Sequence, residues 1–166
     1  MAELTTYPVL VDRQALIERY AAGHQAVLDA LHGITDAELD ARPSPDQWTA
    51  REIVHHLADS EMTSAIRLRR LLVEDHPDIP NYDEEAFARR LFYTERPIAA
   101  ALDALNAARR TTLEILERMT EPDWQRSGTH SESGPYSAQT WLEIYAAHAH
   151  DHAAQITAAR STGVPS

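Results

Sequence analysis

Four stretches of the chain carry apolar residues at three- and four-residue steps, and a proline or glycine stands in every gap between them. That period marks helix faces that must be buried. Leu16, Ile17, Tyr20, Val27, Leu28 and Leu31 predict a first helix from about Asp12 to Leu31, stopped by Gly33. Thr35 to Gln47, with Pro43 and Pro45, reads as a connector with room for one short helical turn. Thr49 and Glu52 have the spacing of a capping box, so a second helix should start there and run to about Val73. Its stripe is Ile53, Leu57, Ser60, Ser64, Leu68 and Leu71 or Leu72. Pro77 and Pro80 make Asp75 to Asn81 a loop, and Asp83 to Leu91 has the makings of a short helix. Pro97 suits the first turn of a third helix, which carries Ile98, Leu102, Leu105, Leu113 and Leu116 and ends before Pro122. Ser127 to Ser137 is expected to be a polar loop. Ser137 can cap a fourth helix running to about Arg160, and the tail Ser161–Ser166 is expected to fray.

The expected fold is therefore all-α: one domain over residues 1–166, a four-helix bundle. An up-down-up-down order with a long connector between the second and third helices fits these lengths. Glycine is scarce and strand-like aromatic or β-branched runs are rare, which agrees with helices throughout. The formal net charge of −11 argues against nucleic acid or an anionic membrane as partner, since both select basic surfaces. Without cysteine, disulfides, zinc-thiolate sites and cysteine nucleophiles are excluded. The run MAELTTYPVLVDR lacks the pattern of a signal peptide, and no stretch approaches the ~20 apolar residues of a membrane span. A cytoplasmic protein acting on a small molecule is the expectation.

The chemistry is carried by histidines. Trp141, Tyr145, His148, His152 and Ile156 fall on one stripe of the fourth helix at steps of four, three, four and four. Two imidazoles four apart on a helix point the same way and can chelate one metal. The alternative is a chance pair of core histidines, each needing its own buried partner. His56, on the inward side of the second helix, is the third candidate; alone it would read as a hydrogen-bonded core residue. His150 is turned about 200° from His148 by the 3.6-residue period, and His55 stands about 100° from His56. Asp59, Asp151 and Gln155 each lie three residues beyond a candidate ligand and could orient its imidazole. Ala149 replaces the glutamate that a helical zinc-protease motif needs. Glu52 and His55 match a di-iron Glu-x-x-His unit once, and the fourth helix offers no second copy.

The run from Trp48 to Glu61 (WTAREIVHHLADSE) resembles the first metal-ligand helix of the DinB-like (YfiT-like) metal-dependent superfamily. The run from Tyr145 to Ile156 (YAAHAHDHAAQI) resembles its last. Asn81, Tyr82, Asp83, His130 and Gly134 sit where that family carries similar residues, and the likeness spans about Ala15 to Ala159. The resemblance implies a four-helix bundle holding one divalent metal, nickel or zinc, with His56, His148 and His152. It also implies a homodimer, and an activity among thiol-dependent S-transferases or metal-dependent hydrolases.

Three imidazoles leave metal positions open unless His130, Glu61 or a loop carboxylate closes them. An open site can lower the pKa of a bound water and hydrolyse, or bind a thiol as thiolate and transfer it. The resemblance puts transfer of a low-molecular-weight thiol first and hydrolysis second. A non-catalytic metal- or ligand-binding stress protein is a third possibility, distinguished by a sealed or saturated metal. Ser60 and Tyr82 are candidate helpers, as is His130. Arg67 either holds an anionic substrate or pairs with a surface carboxylate. Trp48, Trp124 and Trp141 are expected to anchor core or interface.

Overall fold

The structure, a computed structural model, describes residues 12–163. Four long helices dominate: α1 (Arg13–Leu31), α3 (Ala50–Val73), α5 (Ala99–Leu116) and α7 (Ala138–Arg160). Between them lie the single turn α2 (Asp36–Leu39), strand β1 (Asp78–Ile79), α4 (Glu84–Arg90), the turn α6 (Glu121–Trp124) and strands β2 (Ser127–His130) and β3 (Gly134–Ser137). Local chemistry sets the starts. Asp12, Thr49 and Ser137 each accept from a backbone N–H in the first turn of their helices, and Thr49 and Glu52 complete the expected capping box.

The bundle forms as expected, but its helices do not alternate in direction. Near the start of α3, Arg51 and His55 bond the Arg96 carbonyl just ahead of α5. Near its end, Arg69 meets Thr111 and Thr112 at the end of α5. So α3 and α5 run parallel. Arg13 meets Gln139, and Arg160 meets the Ala30 carbonyl, so α1 and α7 are parallel as well. Trp141 donates to the Ser64 carbonyl (2.8 Å) while His56 faces His148 and His152, so α3 and α7 are antiparallel. The order is up, down, down, up. The long segment 74–98 makes this possible, because it carries the chain back along the bundle before α5 begins.

Two apolar clusters fill the bundle. One contains Val27, Ile53, Leu57, Leu105 and Ile156, the other Tyr20, Leu68, Leu71, Leu116, Trp141 and Leu142. Burying each such leucine or isoleucine contributes about 1.5–3 kcal/mol. Gly23 is required where it stands: a Cβ there would fall 2.6 Å from Arg109 Nη2 and 2.9 Å from the Ala149 methyl.

Ser127 to Ser137 is not the expected loop. β2 and β3 form a hairpin, and β1 adds to β2 in parallel, Asp78 opposite Thr129. Strands of two and four residues are too short to show alternation in sequence. At Gly128 a Cβ would sit 2.2 Å from the Pro77 carbonyl oxygen, so glycine allows the close approach of β1. The chain after α7 does not fray at once but forms a 3₁₀ turn, Ser161–Gly163, seated against Ala37 and Ala41; residues 164–166 and the N-terminal run through Val11 lie outside the described residues. No described helix is long and apolar enough to cross a membrane.

Candidate metal centre

Because α3 and α7 are antiparallel neighbours, the N-terminal half of one faces the C-terminal half of the other. His56 thereby meets His148 and His152. Each of the three offers a ring nitrogen, and these three atoms all lie within 4.8 Å of one another. The ring centroids stand 5.4 Å (His56 to His148), 4.8 Å (His56 to His152) and 4.5 Å (His148 to His152) apart, with planes crossing at 62–82°. Rings set edge to face aim nitrogens at a shared point instead of stacking.

The trio is poorly served by protein partners. Nδ1 of His148 is buried with no hydrogen-bond partner among the described residues. Nδ1 of His152 bonds Gln155 Oε1 at 2.7 Å; the amide oxygen accepts, so the proton is on Nδ1 and the Nε2 lone pair is free to ligate. Burial, reinforced by the neighbouring His152, pulls His56 down to about 3. Burial first, then His152, His56 and Arg109, pulls His148 down to about 3. Burial lowers His152 too, against the opposing pull of Gln155 and Asp151. All three are neutral at pH 7, the form a metal requires. Three neutral imidazoles around one point, with an orphaned buried nitrogen among them, fit a borderline divalent ion such as zinc or nickel and do not suit magnesium or calcium.

No other histidine, aspartate or glutamate among the described residues joins this cluster. Glu61 is engaged elsewhere, accepting from Tyr20 (2.5 Å) and Arg109 (2.6 Å). His130 lies on β2 with its ring against Tyr136, and its Nδ1 accepts from the backbone N–H groups of Glu132 and Ser133. His55 turns to the Arg96 carbonyl (3.0 Å) and stacks on Tyr93. His150 points outward to the Arg19 carbonyl (2.8 Å). Of the three proposed orienting residues only Gln155 does so. Asp59 accepts instead from the Tyr93 hydroxyl, and Asp151 is exposed. Glu52 is taken by its capping box and by Arg42, which removes the di-iron alternative.

The walls are aromatic. Trp48 lies 4.9 Å from the His56 ring and Tyr145 lies 5.5 Å from the His148 ring. Trp48 packs against the core as expected and borders the site as well; Trp124 and Trp141 are buried in the core. Ser60, one turn beyond His56, is buried beside the Tyr82 and Tyr145 hydroxyls. The Tyr82 hydroxyl, pushed up to about 12 by burial against the opposing pull of nearby Ser60, remains a proton donor and meets no partner at hydrogen-bond geometry among the described residues.

What the sequence did not disclose is a second polar group at mid-bundle. Tyr20 of α1, Glu61 of α3 and Arg109 of α5 form a buried network, and Arg109 also donates to the Tyr20 and Tyr145 carbonyls. Its one signal was Arg109 standing on the stripe Leu105, Thr112, Leu116, where an apolar residue belongs.

A helical bundle running up, down, down, up, with three histidines converging between two antiparallel helices, defines a class of metal-binding helical proteins. The sequence pattern of the DinB superfamily matches residues 19–156, and the chain belongs to that superfamily. It is similar to a protein of Oceanobacillus iheyensis named "Putative metal-dependent hydrolase", 35% identical over 124 residues (75% of this chain, 72% of the relative). A Bacillus cereus (strain G9842) protein named likewise is 31% identical over 143 residues, 82% of each chain. Among solved structures, YfiT from Bacillus subtilis, described as "a probable metal-dependent hydrolase with an unusual four-helix bundle topology", superposes with a TM-score of 0.85 at 28% identity, covering 92% of this chain and 89% of that one.

Proposed function

We propose that the chain is a metal-dependent hydrolase of small molecules in which His56, His148 and His152 hold one divalent ion, zinc or nickel. The observation that carries this reading is the convergence of three neutral imidazoles with no fourth ligand among the described residues, the arrangement of catalytic rather than structural zinc. A bound ion would supply Lewis-acid activation of water and of the substrate carbonyl at neutral pH.

The chain's own residues do the rest. Gln155 fixes the His152 tautomer and ring angle. Trp48 and Tyr145 hold the other two rings between apolar faces and limit the water that reaches them. The Ser60 hydroxyl, one turn beyond His56, is placed to donate to an oxygen that gains charge as the substrate reacts. The His130 Nδ1 accepts two backbone N–H bonds, so its proton sits on Nε2.

The names of the relatives favour hydrolysis, which reverses the order expected from sequence, where thiol transfer came first. The test is an assay of purified protein against esters, lactones and amides, and in parallel against electrophiles with a low-molecular-weight thiol. Hydrolysis should be abolished by chelator, restored by zinc or nickel, and absent in His148→Ala. Turnover that needs the thiol and occurs only with the electrophiles would replace this reading with S-transfer. Hydrolysis insensitive to chelation would remove the metal from the mechanism.

A further inference from the structure

Arg67 is the buried cation that has no anion. It is 8% exposed, and no carboxylate among the described residues stands within ion-pair distance, although the chain has 26 acidic residues against 15 basic. The one other arginine this well buried among the described residues, Arg109, is neutralised by Glu61 at 2.6 Å. Of the five N–H donors of a guanidinium, Arg67 spends one on the Tyr145 hydroxyl (3.4 Å) and one on the Pro80 carbonyl (2.8 Å). Its Nε is buried and has no hydrogen-bond partner among the described residues, and neither has the Tyr82 hydroxyl nearby.

The position ties Arg67 to the histidines. His56, Ser60, Ser64 and Arg67 follow each other on α3 at steps of four, four and three, all buried, so they share one face. Their backbones span about 16 Å from His56 to Arg67 at 1.5 Å per residue, and a long helical side chain leans toward the N-terminus, here toward His56. Tyr145 closes the gap, its hydroxyl on Arg67 and its ring against His148.

A second charge feature borders the first. A cavity of about 690 Å³ opens beside Tyr82, lined also by Asn81, Asp83, Glu84, Glu85 and Glu132. Asp83 caps α4 and Glu132 accepts from Asn81. Glu84 and Glu85 have no cation in ion-pair range among the described residues, and Glu84 lies close enough to feel the Arg67 charge without bonding it. A bare anion would be repelled at this rim, and a bare cation would be repelled by Arg67. A molecule bearing both charges suits both.

We propose that Arg67 and Tyr82 form a carboxylate subsite, and Glu84 and Glu85 an ammonium subsite, for a zwitterionic, amino-acid-like substrate. This rests on the hydrolase reading for the bond to be broken, which lies elsewhere in the molecule within reach of the three histidines. The Arg67 Nε–H and a neighbouring N–H present the fork that matches a carboxylate, and Tyr82 adds a neutral donor.

The binding test uses chelator-treated, metal-free protein, so that the ion plays no part. L-alanine, N-acetyl-L-alanine and L-alaninamide are titrated separately and followed by amide chemical shifts. L-alanine is expected to bind most tightly. Arg67→Gln should weaken L-alanine about 10-fold or more, the loss of a charge-assisted bond pair, and Tyr82→Phe about 3- to 10-fold. Arg67→Lys keeps the charge but loses the fork and should fall between wild type and Arg67→Gln. Helicity is checked by circular dichroism, and Tyr82→Phe, on a loop, keeps the test alive if Arg67→Gln does not fold. L-alaninamide or N-acetyl-L-alanine binding as tightly as L-alanine, or affinities unmoved by all three substitutions, would overturn the subsite. If L-alanine binding fails while chelator-sensitive hydrolysis persists, only this inference is lost; the converse leaves the subsite standing and removes the hydrolase.

Discussion

Two buried polar clusters lie within one bundle, and they follow opposite rules. At mid-bundle, Tyr20, Glu61 and Arg109 satisfy one another and two backbone carbonyls as well. Toward the other end of α3, His56, His148 and His152 converge with a single internal hydrogen bond, from His152 to Gln155, and leave a buried nitrogen unpaired. Buried polar groups are normally bonded, so the first cluster reads as architecture and the second as a ligand-binding site. Removing a member from the two clusters should therefore have opposite consequences.

The largest effect is expected at mid-bundle. Glu61→Ala strands the Arg109 charge in the core and should cost about 3–5 kcal/mol, read from urea unfolding. Replacing Glu61 and Arg109 together by apolar residues should recover most of that loss, and failure to recover would mean the pair is not the source. In the histidine cluster, His148→Ala should barely change metal-free stability. Its consequence appears with metal: zinc at 100 times its dissociation constant should stabilise wild type by about 2.7 kcal/mol and leave His148→Ala unmoved in the same melting experiment. A smaller step is Gln155→Ala, which frees the His152 ring and should weaken metal binding about 10- to 100-fold by competition with a chromophoric chelator.

The effect of pH is small near neutrality and grows as the medium becomes acid. Folding keeps His56 and His148 neutral down to about 3, whereas their ordinary value is 6.5. Between these values the unfolded chain binds more protons, so metal-free stability should fall as pH drops below 6.5. The slope is at most about 1.4 kcal/mol per pH unit for each histidine; above 6.5 they add none. Denaturation series at pH 7, 6 and 5 check this, and the slope should flatten in His56→Ala.

Much of the histidine cluster was legible in the sequence because its geometry is local. His148 and His152 share a helix with Trp141, Tyr145 and Ile156, and a helical period places them on one face. His56 was legible by the same period on α3. The ionic cluster was not, because Glu61 and Arg109 meet only through the packing of α3 on α5, and that packing depends on helix direction. Direction is not legible in the sequence, because nothing in 74–98 marks the segment as one that runs the length of the bundle. The β1–β2–β3 sheet escaped for a related reason: its pairing joins residues some fifty positions apart in strands too short to carry a pattern. The sequence leaves Arg67 between an anionic substrate and a surface carboxylate, and its burial without an ion pair among the described residues is visible only in the structure.

The most direct measurement is the X-ray absorption spectrum of protein loaded with one equivalent of zinc. The expected spectrum shows three imidazole nitrogens at roughly 2.0–2.1 Å with the remaining coordination from solvent, and the imidazole scattering is lost in the His56→Ala, His148→Ala, His152→Ala triple variant. A metal held by four protein ligands, or a spectrum unchanged in the triple variant, would contradict the open three-histidine centre.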